Sequence, residues 1–414
     1  MTTARDETGS KVHQSWWWVL ILFSIALVVE SLAVSQLFAF LPLYLAEMQM
    51  PAADIPRWVG WLTSLIFLLG LPLVPLWGVW ADKYSRKNVI LRSALVEAVV
   101  FVIIAASRQP WHLVVGMLLA GFQLGNTGVM LGALRDVTPT RRLGTAIALF
   151  GATSPIGFAL GPVLGGLLID YFGTSISTVF LVSGLLSLAV ALMLAVGLRE
   201  VRPEVRPEGA VLKLAFGAMH SVFTEPITRR LFIVFGVAIL ARFMISPYLP
   251  ILTEQIHASS EGIASAIALV VGTAALAGGL ISPLAGAAGD RFSFRTVLVA
   301  SLVGYALTLV LMPFVPSVLL LALLSALGAA FIAGVNAMVF GLLSVDVPPQ
   351  QRSATLNLVY LPLYLAGIVG PAIGALVVST GLATVFVLSA LILVAGALFV
   401  LLRLQNAGAG QAAA

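Results

Sequence analysis

Two ionisable side chains stand where an apolar chain has least use for them. Glu30 lies about 13 residues inside the apolar stretch 17–46, and Arg242 lies about 12–14 residues inside the stretch 228–255. A charge at the centre of a bilayer costs at least about 2.5–3.5 kcal/mol. A carboxyl held there is suited to exchange a proton, and a guanidinium to balance it or to hold an anion. We expect Glu30 and Arg242 to approach one another or to share a substrate, so that protonating Glu30 frees Arg242. A static ion pair, or a substrate-binding pair with no proton role, would use the same two residues.

A charged string near one end of the apolar stretches occurs twice. The first copy is Gly78-Val-Trp-Ala-Asp82-Lys83-Tyr-Ser-Arg86-Lys87 and the second Gly286-Ala-Ala-Gly-Asp290-Arg291-Phe-Ser-Phe-Arg295. The two aspartates are 208 residues apart. Other landmarks recur in the same order. Asp136 matches Asp346 and Arg142 matches Arg352, both at 210 residues, and Gly161-Pro162 matches Gly370-Pro371 at 209. A carboxylate among cations at a helix end latches two helices when they approach and releases them when they part. Gly78, Asp82, Arg86, Lys87, Asp136 and Arg142 are therefore read as one half of a gate, with Asp290, Arg291, Arg295 and Arg352 as its twin. Ordinary surface pairs, worth under about 1 kcal/mol, are the plain alternative. Repetition of the acid together with its bases favours the gate.

The elements that position these groups follow from composition. Of 414 residues, 60% are hydrophobic and 9% charged, against about 25% charged in soluble domains. Surface area falls too slowly with size for a soluble fold to hide so much apolar surface. A crossing helix needs about 20 apolar residues. The sequence predicts twelve: 17–46, 58–80, 88–107, 111–134, 143–170, 175–198, 228–255, 262–286, 294–313, 316–344, 353–379 and 382–403. The repeat groups them into two six-helix bundles, so the expected fold is an all-α membrane protein with two pseudo-symmetric halves. The expected parts are an N-tail over 1–16, a bundle over 17–198, a linker over 199–227, a second bundle over 228–403 and a C-tail over 404–414. Within the linker, 210–223 is a candidate amphipathic surface helix.

Twelve crossings put both termini on one side. Nineteen of the 22 Lys and Arg are assigned to tails, linker or loops on that side, Arg57 and Arg108 to the other, and Arg242 to a span. That bias predicts cytoplasmic termini and an inner-membrane location. The net charge of +5 sits between spans rather than on a stripe, so nucleic acid is not an expected partner. There is no cysteine, the four histidines have no metal-ligand spacing, and no phosphate-binding loop ending in Lys-Ser/Thr occurs. No cofactor, metal or catalytic residue is expected, and the chain is not read as an enzyme.

The string at 78–87 resembles the loop 2–3 signature of the major facilitator superfamily, and the likeness covers the whole chain. Gly157-x-x-x-Gly161-Pro162-x-x-Gly165-Gly166 in the fifth span is similar to the signature of its antiporter branches. Phe40-Leu-Pro42-Leu-Tyr44 is similar to another drug-exporter landmark. The likeness implies a twelve-span drug/proton antiporter. One departure stands out: exporters of this type usually carry an Arg four residues before a Gly in the fourth span, and here Met117 precedes Gly121. Coupling must then run differently, or the substrate lies outside the usual range.

In the resembled fold, spans one, four, seven and ten border a central cavity. Asn126 and Asn336, 210 residues apart, are expected to line it, joined by Gln36, Gln123, Tyr248, Asn357, Tyr360 and Tyr364. The third span is peripheral there, so Glu97 reads as a packing or snorkelling residue, and Asp170 as a solvated helix end. The glycines at 157, 161 and 165, four apart, let the fifth span approach a neighbour closely. In the resembled fold that span meets the eighth across the two halves. The leading expectation is proton-coupled export of a small lipophilic or cationic compound by a membrane-embedded monomer. The alternative is a lipid or lysolipid flippase, with Arg242 for an acidic head group.

Overall fold

The structure is a computed structural model that describes residues 14–201, 208–215, 226–257, 259–346 and 360–403. Arg352 and Asn357 lie outside the described residues, as do the side chains of Asp290 and Tyr360 and the linker positions beyond 215.

The first half comprises α1 (Trp16–Glu47), α2 (Ile55–Lys83), α3 (Arg86–Ala105), α4 (Pro110–Ala120), α5 (Asn126–Val137), α6 (Leu143–Asp170) and α7 (Ile176–Gly197). The second comprises α8 (Pro226–Ile245), α9 (Leu249–His257), α10 (Ile263–Phe292), α11 (Phe294–Leu311), α12 (Val318–Asp346), α13 (Tyr360–Val377) and α14 (Leu382–Arg403). Eleven apolar helical segments among the described residues are long enough to cross a membrane, and α8 and α9 make one of them, joined through a 3-10 turn. The chain is a multi-pass membrane protein of two helical bundles. Only helices and closed barrels satisfy every backbone group within lipid.

Local chemistry sets the helix ends. The Ser85 hydroxyl accepts from the Asn88 N–H at the start of α3, and Ser175 and Ser293 do the same for α7 and α11. His112 closes a capping box with Gln109 at the start of α4, which gives that histidine a structural task.

One expected span departs from a simple helix. The stretch 111–134 is two helices, α4 and α5, separated by a turn over 121–125. Gly125 has φ +92°, a left-handed conformation that a β-carbon disfavours. The break falls inside the bilayer, so the backbone groups it frees need partners from neighbouring helices.

The halves meet at one end and part at the other. Two ends of the molecule are distinguished here as the termini face and the far face. On the far face, α6 packs on α10 and α2 on α13. The Ser64 hydroxyl donates to the Ile368 carbonyl at 2.9 Å, and Phe67 of α2 meets Phe243 at 5.0 Å between ring centres. A β-carbon on Gly166 would press on the Ala264 carbonyl, and one on Gly60 on Tyr248 and the Pro371 carbonyl. Toward the termini face the picture reverses. A β-carbon on Gly78, Gly144, Gly151 or Gly286 would meet no described atom within 4 Å. Apolar packing divides in the same way. One core runs from the far-face part of the first half into the second half, while a separate core around Phe23, Ile90, Met130 and Leu194 fills the termini-face part of the first half. The structure is thus sealed on the far face and open on the termini face.

Candidate functional site

The break between α4 and α5 gathers the buried charges. The turn after α4 presents the Gln123 and Leu124 carbonyls, and α3 supplies their donors. Arg92 donates through Nη2 to the Leu124 carbonyl at 3.1 Å and to that of Gln123 at 3.5 Å. The Ser93 hydroxyl also donates to the Gln123 carbonyl. The other side of the guanidinium lies over the Trp77 ring of α2, 3.8 Å from its centre, a favourable cation–π geometry. α5 begins at Asn126, whose Nδ2 donates to Glu30 Oε2 at 2.6 Å. A cation therefore holds the carbonyls of the turn, and the positive end of α5 faces a carboxylate.

Glu30 is partly exposed, whereas Glu97 is 4% exposed. Both line one small cavity with Asn126, and its other lining residues are Ala26, Ile90, Ala94, Met130, Val190 and Leu194. Arg92 interacts electrostatically with Glu30, and Glu30 with Glu97. The arrangement thus holds two carboxyls, one guanidinium and one amide within a single bundle.

Three readings of these residues change. Glu30 and Arg242 are not joined by an ion pair; Glu30 instead faces Asn126 and Arg92 of its own half. Arg242 is exposed on α8, and its charge acts on the Tyr305 phenol. Glu97 is not a peripheral packing residue, because α3 packs directly on α7 and turns this side chain inward. Arg92, assigned from sequence to the positive side of the membrane, sits in α3 and reaches inward to the break. The signals were available in Gly121-Phe-Gln123-Leu-Gly125-Asn126-Thr127, a run too rich in glycine and amides for an uninterrupted span.

The remaining expected cavity residues divide. Gln36 is 3% exposed and uses both ends of its amide inside the first half: Nε2 donates to the Gly161 carbonyl at 3.0 Å, and Oε1 accepts from Ser183 at 2.6 Å. It ties α1, α6 and α7 together rather than lining a cavity. Gln123 is buried at the break, with its Oε1 unpartnered. Tyr248 is fully buried at the far-face seal, against Gly60 and Gly374. Tyr364 packs on Phe67 in that seal, 6.1 Å between ring centres. Asn336 is partly exposed on α12, and its Oδ1 has no partner.

The charged string of the first half forms a knot at the termini face. Arg86, 7% exposed in its side chain, donates through Nε to Asp82 at 2.9 Å and through Nη1 to Asp136 at 2.6 Å. This ties α2, α3 and α5. Glu200, which the sequence reading passed over, accepts from the Arg86 N–H at 2.9 Å and from the Ser85 hydroxyl. Its carboxylate sits at the positive end of α3. Lys87 donates to the Ala195 carbonyl at 2.7 Å. Gly78 faces open space, and Arg142 is exposed on a 3-10 turn. In the second half Arg291 lies near the Phe292 ring, and Arg295 donates to the Leu401 carbonyl at 2.5 Å.

The glycine face of α6 meets a different neighbour from the one expected. Gly157, Gly161 and Gly165 press on Val28, Leu32, Ser35 and Phe40 of α1, inside the first half. Gly166, one position round, faces Ala264 and Ala268 of α10 across the two halves. Pro162 is buried in α6. Asp170, expected to be solvated, closes that seam: its Oδ2 accepts from the Ser265 N–H at 2.6 Å.

Known proteins place this architecture. The Major Facilitator Superfamily model matches residues 23–235 and 231–413. The chain is 27% identical over 382 residues to the multidrug resistance protein MdtG of Enterobacter lignolyticus (strain SCF1), covering 91% of this chain and 90% of that one. It is 26% identical over 336 residues to a multi-drug resistance efflux pump PmrA homolog of Lactococcus lactis subsp. lactis (strain IL1403), covering 81% and 82%. The fold is similar to the crystal structure of a bacterial homolog of the human lysosomal transporter Spinster, in an inward-facing and occupied conformation. There the TM-score is 0.77 at 16% identity, over 95% of this chain and 97% of that one. With two model matches that together span both halves, the chain belongs to the major facilitator superfamily.

Proposed function

We propose that this protein is a secondary active transporter that exports lipophilic or cationic drug-like compounds in exchange for protons. The observation that carries the reading is Glu30: a partly exposed carboxylate at mid-span, held by Asn126 beside a break in the fourth span. A cationic compound and a proton compete for one such carboxylate, which is the minimum requirement for exchange. The names of the MdtG and PmrA relatives support the substrate class.

On this reading the termini face is cytoplasmic and the protein lies in the inner membrane as a monomer. Residues 17–198 and 228–403 are the two moving bundles, joined by the linker 199–227. The open face is then the inner one, and the state is inward-open. The Asp82–Arg86–Asp136 knot and its partners in the second half act as the inner gate, exposed here to meet the opposite bundle when that face closes. The far-face seam of α2, α6, α10 and α13 is the outer gate. Loss of the proton from Glu30 to the cytoplasm readies the carboxylate for substrate. Reprotonation from outside displaces the substrate there, and membrane lipids supply the surrounding solvent.

One observation favours the lipid alternative: Arg242 stands exposed on α8, with no ion pair to Glu30. An anionic head group would suit it. Purified protein in vesicles, given a pH gradient and a panel of lipophilic cations and then a labelled lysolipid, separates the two. Cation-triggered proton flux supports exchange, and lipid movement without it supports the alternative.

A further inference from the structure

The cavity lined by Glu30 and Glu97 holds two acids, and a single cation stands beside it. Arg92 is the cation of the cluster, and the carboxyls are Glu30 and Glu97. Two carboxylates and one guanidinium would leave a net negative charge among mostly apolar side chains, which a low-dielectric interior penalises. Electroneutrality is met by one carboxylate, one guanidinium and one carboxylic acid. The hydrogen bonds say which acid holds the proton. Glu30 accepts from the Asn126 amide, faces Arg92 and is partly exposed, so it is the carboxylate. Glu97 is buried, and one of its oxygens, Oε1, has no hydrogen-bond partner among the described residues. Its carboxyl meets the Ser187 hydroxyl. That hydroxyl already donates its single hydrogen to the Ser183 carbonyl at 3.0 Å. What Ser187 has left is a lone pair, so a hydrogen between it and Glu97 must come from Glu97.

We infer that Glu30 and Glu97 form one proton-binding pair in which Arg92 is the fixed counter-charge of Glu30, and that Glu97 carries the pair's proton in the state open to the termini face. Among the described residues the cavity lining holds no titratable side chain besides Glu30 and Glu97; Asn126 of α5 completes its polar part, and outside it stand Arg92 of α3, the Trp77 ring of α2 on Arg92, and Ser187 of α7. Because the two acids line one cavity and act on each other's charge, they take up protons in linked steps rather than as two independent sites. A second proton arriving at Glu30 leaves Arg92 as the unbalanced charge of the cluster. Its remaining polar contacts are then the Gln123 and Leu124 carbonyls at the break. Glu97 thus joins the proposed proton-coupling site as a positioning and proton-holding residue. This inference rests on the proton-exchange reading for its purpose but not for its test.

The test is infrared spectroscopy of the full chain, purified in lipid without substrate at neutral pH, read in the carbonyl-stretch band of protonated carboxyls. The wild-type chain should show one solvent-shielded protonated carboxyl. Glu97→Gln should abolish the band. Glu30→Gln should keep the band but change its frequency and pH range, because the Glu30 charge no longer acts on Glu97. A band that keeps both its frequency and its pH range in Glu30→Gln makes the two acids independent and overturns the pair. So does a wild-type spectrum with no such band or with two, a readout that needs no variant to fold. Vesicle transport of a lipophilic cation separates the two levels. Failed exchange with the infrared pattern intact sinks the transport reading alone, and normal exchange with an independent Glu97 sinks the pair alone.

Discussion

Replacing Asp170 with alanine should open the far face. The carboxylate stands at the end of α6 in the first half and accepts the Ser265 N–H in the first turn of α10 in the second, at 2.6 Å. That turn has no cap of its own, since the residue before α10 is Gly262, at φ +74°. A helix start leaves its first N–H groups unsatisfied, and a capping side chain is worth about 1 kcal/mol. A hydrogen bond to a charged group contributes about 1.5–3 kcal/mol. Asp170 is half-buried, and water replaces part of the bond when the seam parts, so about 1–2 kcal/mol is a fair net value. The bond exists only while the far face is closed. Its loss therefore shifts the balance between the two states by about 5–30-fold toward far-face opening. Asp170→Asn retains an acceptor oxygen but no charge, and should shift it by less. The chain has no cysteine, so spin labels can be placed without background at the exposed positions Phe172 and Glu261 of the far face, and Arg141 and Phe292 of the termini face. Distance distributions in lipid should lengthen across the first pair and shorten across the second. If Asp170→Ala leaves both distributions unchanged, the bond does not discriminate between states and the reasoning is wrong.

Gly161 should be intolerant of any side chain, because a β-carbon there would run into the Leu32 carbonyl and the Ser35 hydroxyl of α1. Gly161→Val should lower the thermal midpoint in detergent by the equivalent of about 1–3 kcal/mol, while Gly151→Ala, which meets no described atom within 4 Å, should leave it in place. Arg86→Lys should fail to replace Arg86, since one ammonium cannot fork between Asp82 and Asp136 as the guanidinium does. A loss of about 1–3 kcal/mol is expected, smaller than for a fully buried pair because both carboxylates reach solvent; equal melting of the Lys variant and the parent would discount the knot.

Much of the fold was legible because membranes leave a chain few choices. Apolar length, the two-fold recurrence around Asp82 and Asp290, and the clustering of Lys and Arg each follow from the solvent, and they place spans without knowledge of contacts. Glu30 was legible for the same reason: its depth alone marked it. Its partners were not. The symmetry of spans one and seven suggested Arg242, but a carboxylate in a bundle pairs with whatever donor its own neighbours turn inward. Here that donor depended on the break at Gly125, which rotates Asn126 to the head of a new helix. Arg92 was hidden by its own length. A guanidinium near a membrane face usually snorkels outward, whereas this one is drawn inward by two free carbonyls and the Trp77 ring. The glycine spacing of α6 announced a close neighbour without saying which. A face of small residues fits any helix, and only the register of α1 against α6 decides.

The central claim is that Glu30 is the group through which a proton and a compound exchange. Purified protein in vesicles, with a trapped pH indicator and an imposed pH gradient, reports this directly when a lipophilic cation is added. The unmodified chain should release protons on addition of the cation, and Glu30→Gln, which keeps the size and the Asn126 contact but loses the ionisable group, should abolish that release and weaken binding of the cation. Proton release by Glu30→Gln at the unmodified rate would contradict the account.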